Sequence, residues 1–251
     1  MTDMQMITVP ALLQGYPGVA FGGYVAGVLA GRAALPELST AFEQGRPRPA
    51  VRVDFRRPVP TGAPVRLAQT ADGGSELTDG ETLLAVAGPA EQSTEVPDTP
   101  SWEEASAAAK AYRAAPPEGV VDCFGCGLDR TPDTGLRQHC GRVQGRDLVA
   151  TAWIPGPQLA DTDGMLPPAL VWGALDCPGF AAGRLLGSQR PGAVTASLTA
   201  SLLRPVRVGE ELVTYAWMLG EEGRKHRMGV ALASASGELR AVASSLWVDP
   251  R

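Results

Sequence analysis

Asp176 has the residue type and the surroundings of a reactive carboxylate. It follows eight residues, 168–175, that carry no charge, so the segment around it is expected to be buried. Removing a carboxylate from water is costly unless the group is paired or protonated. Pro178, two residues further on, is expected to kink or end a helix there and to expose backbone groups. Asp176 is therefore a candidate site residue; the alternative is an exposed or capping aspartate at a helix end.

Gly22 and Gly23 are a second candidate, at the start of an apolar helix predicted over residues 22–35. The first turn of a helix has N–H groups without intrahelical acceptors, and glycine lets a ligand approach them closely. Such groups stabilise an oxyanion, whereas the alternative is a tight turn with close helix packing. Thr195, Ser197 and Thr199 alternate on one predicted strand, where they either hydrogen-bond a ligand or form a solvated face.

Three cysteines and a histidine lie near one another in the sequence, at Cys123, Cys126, His139 and Cys140. They offer three thiolates and one imidazole to a zinc ion, but the adjacent His139 and Cys140 do not easily bind one ion together. A redox pair is a further alternative, although no βαβ pattern surrounds it. We predict reduced structural thiols in a glycine-rich turn and no metal site. Cys177 has no neighbouring histidine and is expected to serve in packing.

Composition excludes several classes of function. The 251 residues carry a net charge of −5, whereas unspecific nucleic-acid binding requires a basic surface. Asparagine is absent and histidine occurs twice, which excludes a catalytic asparagine and a metal site with three histidine ligands. The longest apolar stretch, residues 19–31, is too short to span a bilayer. Four cysteines without a signal peptide indicate a reducing compartment. We therefore expect a cytoplasmic protein that binds neither nucleic acid nor membranes.

An internal repeat organises the chain. Residues 56–65 and 203–212 share an Arg-Pro-Val motif followed by glycine, at a constant offset of 147 residues. An apolar segment precedes each motif, at 22–35 and 167–186, and the Gly-Gly and Pro-Pro pairs that begin these segments are offset by 145 residues. We predict an N-terminal repeat over 1–90, a linker with a short helix over 91–119 and a C-terminal repeat over 120–251. Ser101 is the predicted N-cap of the linker helix.

Each repeat is predicted to contain one long helix and a run of strands. The first repeat has strand-like segments at 4–9, 50–57, 65–70 and 81–87, and the second has them at 148–154, 194–204, 211–219, 226–233 and 239–248. One helix followed by antiparallel strands, twice, is an α+β pattern that lacks the βαβ alternation of a parallel sheet.

This arrangement resembles the double hot-dog proteins of the acyl-CoA thioesterase superfamily. Residues 15–23, Gly-Tyr-Pro-Gly-Val-Ala-Phe-Gly-Gly, look like the G-x-P-x-x-x-H-G-G segment of hot-dog thioesterases. Residues 123–127 with Gly135-Leu136 resemble a segment of one branch, and Ala174-Leu175-Asp176 resembles the motif that carries a carboxylate on the central helix. The Arg-Pro-Val units resemble the strand and turn that follow. The resemblance implies two tandem antiparallel sheets, each wrapped around a central helix.

The resemblance also implies an acyl-CoA thioesterase-like hydrolase with one functional site per chain. Asp176 would attack the thioester or activate a water, and Gly23 with Gly22 would supply the oxyanion N–H. Each half would contribute one element, because prolines replace Gly-Gly in the second half and Ala30-Gly31 stands at the carboxylate's place in the first. Gln14 would replace the absent asparagine in orienting the water or the carbonyl.

Two positive clusters are candidates for binding the phosphates of coenzyme A. Arg224, Lys225 and Arg227 form the densest positive run of the chain, and Arg57 follows Arg56 in a second cluster. Arginine forks suit phosphate oxygens, whereas the alternative for both clusters is a solvated strand start.

The sequence departs from the family pattern at two points, and these departures leave rival interpretations open. Phe21 stands where the family has a histidine, and the missing asparagine excludes the hydratase branch and one thioesterase subtype. Both losses favour a non-catalytic module that binds acyl-CoA or lipid, and a third interpretation is a structural protein that only assembles further. No cofactor is expected, and the resemblance implies a homodimer.

Overall fold

The computed structural model describes residues 4–33 and 49–251. In these ranges the strands are β1 Met4–Thr8, β2 Ala50–Phe55, β3 Pro64–Gln69, β4 Ser75–Asp79, β5 Thr82–Ala90, β6 Gly141–Arg142, β7 Val149–Trp153, β8 Val194–Leu202, β9 Leu212–Glu222, β10 Lys225–Ser234 and β11 Leu239–Val248. The α-helices are α1 Gly22–Arg32, α2 Trp102–Ala114, α3 Pro168–Ala174 and α4 Cys177–Leu185. Among the helices of these residues, none combines the length and the apolar character that a membrane crossing needs.

One antiparallel sheet contains all eleven of these strands, in the order β1-β3-β4-β5-β2-β8-β11-β10-β9-β7-β6. β2 pairs with β8 from Val51↔Ala200 to Asp54↔Ser197 and thereby joins the two halves of the chain. The predicted α+β class with an antiparallel sheet is confirmed, but the expected two tandem sheets are replaced by one. An edge strand exposes unpaired N–H and C=O groups, and the β2–β8 pairing satisfies the edges of both halves at once.

The order of strands is the same on both sides of the β2–β8 pair. Read outward, β5, β4, β3 and β1 follow β2, while β11, β10, β9 and β7 follow β8. The nine strands predicted from the sequence correspond to all but β4 and β6, with bounds that differ by a few residues. Duplication of one unit would produce this strand order. The boundaries of the two repeats stay predictions from the sequence.

Helices α1 and α3 pack directly against each other on one face of the sheet. A Cβ atom added at Gly27 would lie 2.5 Å from the Cα of Ala169, and one at Gly23 would lie 2.8 Å from the Cα of Gly173. Real Cβ atoms do not approach backbone so closely, so the two helices make this contact because glycine occupies both positions. The helix predicted over 22–35 begins at Gly22 as expected.

The second apolar segment, predicted as a central helix that kinks or ends near Pro178, forms two helices. α3 ends at Ala174 and α4 begins at Cys177. Pro178 in the first turn of α4 explains the interruption, because proline lacks the N–H that a continuous helix requires and its ring clashes with the preceding turn. Asp176 lies between the two helices, and its side chain makes no capping bond to α4.

The two faces of the sheet are covered by different helices. Val230 and Leu232 belong to the main core with α1, α3 and α4, whereas their neighbours Ala231 and Ala233 belong to a second core on the opposite face. Helix α2 packs on that second face. Its predicted N-cap is confirmed: Ser101 Oγ accepts a hydrogen bond from Glu104 N at 3.1 Å, and Glu104 Oε2 accepts one from Ser101 N at 2.7 Å.

Replacement of Gly27 by alanine tests the contact between α1 and α3. Gly27→Ala is expected to lower the free energy of unfolding by about 1–3 kcal/mol, because the backbone of Ala169 cannot rotate away from the new Cβ. Gly31→Ala is the control in the same helix: among the described residues, no atom outside the helix backbone lies within 4 Å of its Cβ, so alanine should raise stability by up to about 1 kcal/mol. Urea unfolding measures the free energy of unfolding of both variants. An equal change in the two variants would contradict the close contact between α1 and α3.

Candidate functional site

Asp176 is a buried carboxylate with two hydrogen-bond donors. Its side chain is 2% exposed. Gly23 N donates to Oδ2 at 2.7 Å, and Thr195 Oγ1 donates to Oδ1 at 2.7 Å. Each carboxylate oxygen therefore has one partner, supplied by the N-terminus of α1 and by the start of β8. The structure brings the predicted Asp176 and Gly23 together, across 153 residues of sequence.

The N-terminus of α1 is shaped to receive this carboxylate. Gly22 and Gly23 are its first two residues, where N–H groups lack intrahelical acceptors and the helix dipole favours negative charge. A Cβ at Gly23 would lie 2.8 Å from the Cβ of Asp176, so a larger residue would push the carboxylate away. The sequence predicts Gly23 N–H as an oxyanion donor, but in the structure this N–H is engaged by Asp176. Gly22 borders the same cavity as Asp176.

Burial raises the pKa of Asp176 to about 7. Cys123 adds to this rise through its charge, whereas the hydrogen bonds from Thr195 and Gly23 lower the pKa by stabilising the ionised form. The loss of water therefore outweighs the two donors. A carboxyl group in such a position exchanges protons near neutral pH, unlike an exposed aspartate.

A cavity of about 270 Å³ lies beside Asp176. Asp176, Thr195 and Gly22 border it, while most of its wall is apolar and includes Phe21, Phe55, Val59, Phe180, Val194 and Trp247. An apolar pocket with a few convergent polar groups is the usual form of a small-molecule site, and this volume is near the lower end of the range for such sites, ~300–1,000 Å³. The cavity suits a short apolar group held next to the carboxylate.

Arg57 and Arg56 border the cavity, and both side chains are exposed. The second predicted phosphate cluster lies at the turn between β9 and β10 and does not border this cavity. There, Arg224 Nη1 donates to the carbonyl of Asp249 at 3.1 Å, Arg227 lies 4.0 Å from Glu222, and Lys225 begins β10.

Gln14 does not border the cavity either. Its Nε2 donates to the carbonyl of Asp122 at 3.2 Å, and its own carbonyl accepts from Phe124 N at 2.8 Å. In the structure Gln14 thus connects the segment before α1 to the segment that contains the first cysteines. Its predicted role in orienting the water or the carbonyl stays a prediction, because Gln14 is not among the residues that border the cavity.

Three cysteines meet at the cavity wall. The Sγ atoms of Cys123, Cys126 and Cys177 all lie within 4.8 Å of one another, and all three residues border the cavity. The grouping differs from the sequence hypothesis, which placed Cys123 and Cys126 with His139 and Cys140. His139 instead places Nε2 3.1 Å from the carbonyl oxygen of Gly127. Sequence spacing missed Cys177 because 51 residues separate it from Cys126.

No protein-family model matches the chain, and no curated protein matches it in sequence. Solved structures match it over nearly its whole length. A protein from Novosphingobium aromaticivorans DSM 12444 with a provisional assignment as a thioesterase is 15% identical, with a TM-score of 0.62, covering 99% of this chain and 96% of the other. Acyl-CoA thioesterase II from Mycobacterium marinum is 12% identical, with a TM-score of 0.54 and coverage of 100% and 96%.

A third similar structure names the fold. A conserved protein of unknown function with a hot-dog fold, from Alicyclobacillus acidocaldarius, is 14% identical, with a TM-score of 0.60, covering 100% of this chain and 96% of the other. The helices packed on a single antiparallel sheet and this likeness together show that the chain has a hot-dog fold, as the sequence resemblance predicts. At these identities the likeness establishes the fold alone.

Substitution of Thr195 tests the hydrogen bonding of the buried carboxylate. Thr195→Val keeps the shape of the side chain but removes the donor to Oδ1, so the free energy of unfolding should fall by about 1–3 kcal/mol. Thr199→Val makes the same change four residues further along β8, at a residue that is not a donor to Asp176. Denaturant unfolding at neutral pH compares the two variants. A loss at Thr199 as large as that at Thr195 would show that the bond to Asp176 is not the cause.

Proposed function

We propose that this protein hydrolyses the thioester bond of an acyl-CoA. The observation that carries the proposal is the Asp176 carboxylate, which is buried, bound at the N-terminus of α1 and located at the border of an apolar cavity. The hot-dog fold supports it, since the Mycobacterium marinum protein of the same fold is named an acyl-CoA thioesterase. An apolar cavity for the acyl group next to a carboxylate suits this chemistry.

In the proposed reaction Asp176 acts as a general base. It accepts a proton from a water molecule while the water oxygen attacks the thioester carbonyl carbon, and the carbonyl oxygen takes up negative charge. The N–H of Gly22, the first residue of α1, has no intrahelical acceptor and is the proposed donor to this oxyanion. The C–S bond then breaks, and Asp176 returns the proton to the departing thiolate, leaving a carboxylic acid and free coenzyme A.

We further propose that the chain arose by duplication and has one such site. The first half supplies Gly22 and Gly23, and the second half supplies Asp176. The counterpart of Gly-Gly in the second half is Pro167-Pro168, and proline has no N–H to donate. The equal strand order on both sides of the β2–β8 pair supports the duplication. The homodimer and the cytoplasmic location stay predictions from the sequence.

A non-catalytic acyl-CoA-binding module is the second candidate. The observation that favours it is that both oxygens of Asp176 and the N–H of Gly23 already have partners within the protein. In that case Asp176 would hold α1 against α3 and α4, and the cavity would only bind an acyl group. A hydrolase turns over acyl-CoA and a binding module does not, so an assay of acyl-CoA hydrolysis separates the two functions.

Asp176→Asn tests the catalytic role. Asparagine has nearly the same shape but cannot accept a proton from water, so kcat toward acyl-CoA should fall by about 10²–10⁴-fold. Asp147→Asn makes the same chemical change at an exposed residue and should leave kcat unchanged. Release of the coenzyme A thiol is measured over short, long and aromatic acyl groups, together with the thermal unfolding of each variant.

Two outcomes of this experiment would contradict the proposal. Equal kcat for Asp176→Asn and the wild-type protein would remove Asp176 from the reaction. No turnover by the wild-type protein with any acyl-CoA, combined with a rise in its melting temperature when acyl-CoA is added, would support the binding module instead.

Arg57→Gln tests whether the arginine at the cavity binds the coenzyme A phosphates. Loss of one charge-assisted hydrogen bond at an exposed position should raise KM for acyl-CoA about five- to tenfold. The acyl-pantetheine with the same acyl group, which lacks those phosphates, should show no change. Arg227→Gln is the parallel test of the β9–β10 cluster. A rise in KM at Arg227 but not at Arg57 would move the phosphate site to that cluster.

A further inference from the structure

Cys123, Cys126 and Cys177 form a cluster whose geometry fits a metal ion. All three thiols are reduced, and each residue is at most 6% exposed. The Sγ atoms of Cys123 and Cys177 are 3.8 Å apart. A tetrahedral site with zinc–sulfur bonds of about 2.3 Å places two sulfur atoms about 3.8 Å apart, whereas a disulfide would require about 2.05 Å.

The turn between Cys123 and Cys126 favours the ionised form of a thiol. Gly125 N donates to the Sγ of Cys123 at 3.2 Å, and Gly127 N closes the turn by donating to the Cys123 carbonyl at 2.7 Å. An N–H directed at sulfur stabilises a thiolate, but a thiolate buried beside other thiols is costly without a positive partner. A bound cation would supply that partner.

Cys177 completes the cluster from a distant part of the chain. It is the first residue of α4, and the turn packs directly against it: a Cβ at Gly125 would lie 2.5 Å from the Sγ of Cys177. Glycine at this position therefore lets the turn approach the third sulfur. Pro178 ends the preceding helix and sets the place at which Cys177 begins α4.

We propose that the thiolates of Cys123, Cys126 and Cys177 bind one Zn²⁺ ion, with the fourth coordination position directed at the cavity. Thiolates are ligands that zinc prefers, and three protein ligands with one open position are the arrangement of zinc sites that bind a water or a substrate. All three residues border the cavity, so a small molecule in it can reach the fourth position. Asp176 lies beside the ion and keeps its bonds to Gly23 and Thr195.

The proposal does not depend on thioester hydrolysis. Zinc binding displaces the thiol protons of the three cysteines and needs no substrate, so metal content is measured independently of turnover. A protein that binds zinc but hydrolyses nothing would retain this site and lose the proposed function. A protein that hydrolyses acyl-CoA without binding zinc would retain the proposed function and lose this site.

The test is the zinc content of the full chain, purified without an affinity tag and without chelator, under thiol reductant and after incubation with zinc. Elemental analysis should find one zinc per chain in the wild-type protein, and Cys126→Ser and Cys177→Ser should each lose it. Cys140→Ser is the matched control: Cys140 is also fully buried but lies outside the cluster, so its variant should keep the zinc.

X-ray absorption at the zinc edge of the wild-type protein gives a measurement that does not rely on the variants folding. It should show three sulfur neighbours at about 2.3 Å and one oxygen or nitrogen neighbour. Absence of zinc after incubation, equal zinc loss in Cys140→Ser and the cluster variants, or a spectrum without sulfur would overturn the proposal. A disulfide among the three cysteines in the reductant-treated protein, detected by mass spectrometry, would overturn it as well.

Discussion

The burial of the Asp176 carboxylate is the constraint on which the rest of the structure depends. A carboxylate at 2% exposure needs donors from the protein, and it obtains them from Gly23 at the start of α1 and from Thr195 at the start of β8. These donors come from both halves of the chain. The hydrogen bonds therefore require α1 to cross close to α3, and the glycines at 23 and 27 permit that approach.

The same junction creates the cavity and the cysteine cluster. The interruption at Pro178 ends α3 and turns Asp176 toward α1, while Cys177, the next residue, turns toward the loop of Cys123 and Cys126. Pro178 thus places the Asp176 carboxylate and the Cys177 thiol next to each other in the apolar wall of the cavity. The β2–β8 pairing holds the two halves in one sheet, so the parts of this wall keep their relative positions.

Local patterns predicted most elements of the fold. The strand β2 was predictable because residues 51–55 alternate between apolar and charged side chains, and the N-cap at Ser101 was predictable because Glu103 and Glu104 follow it in the first turn of the helix. β4 was missed because its five residues, Ser-Glu-Leu-Thr-Asp, are largely polar and are held by their neighbours β3 and β5. β6 was missed because its two residues are too few to show an alternation of apolar and polar side chains.

The sequence by itself determined the class of elements and made Asp176 and Gly23 candidate site residues, because apolar periodicity, glycine and proline positions and an isolated charge are local properties. Only the tertiary structure decided that β2 and β8 join the two halves, that Gly23 N–H binds Asp176, that Arg57 borders the cavity while Gln14 does not, and that Cys177 joins Cys123 and Cys126. These are contacts between residues far apart in the chain, and spacing along a sequence carries no measure of distance in space.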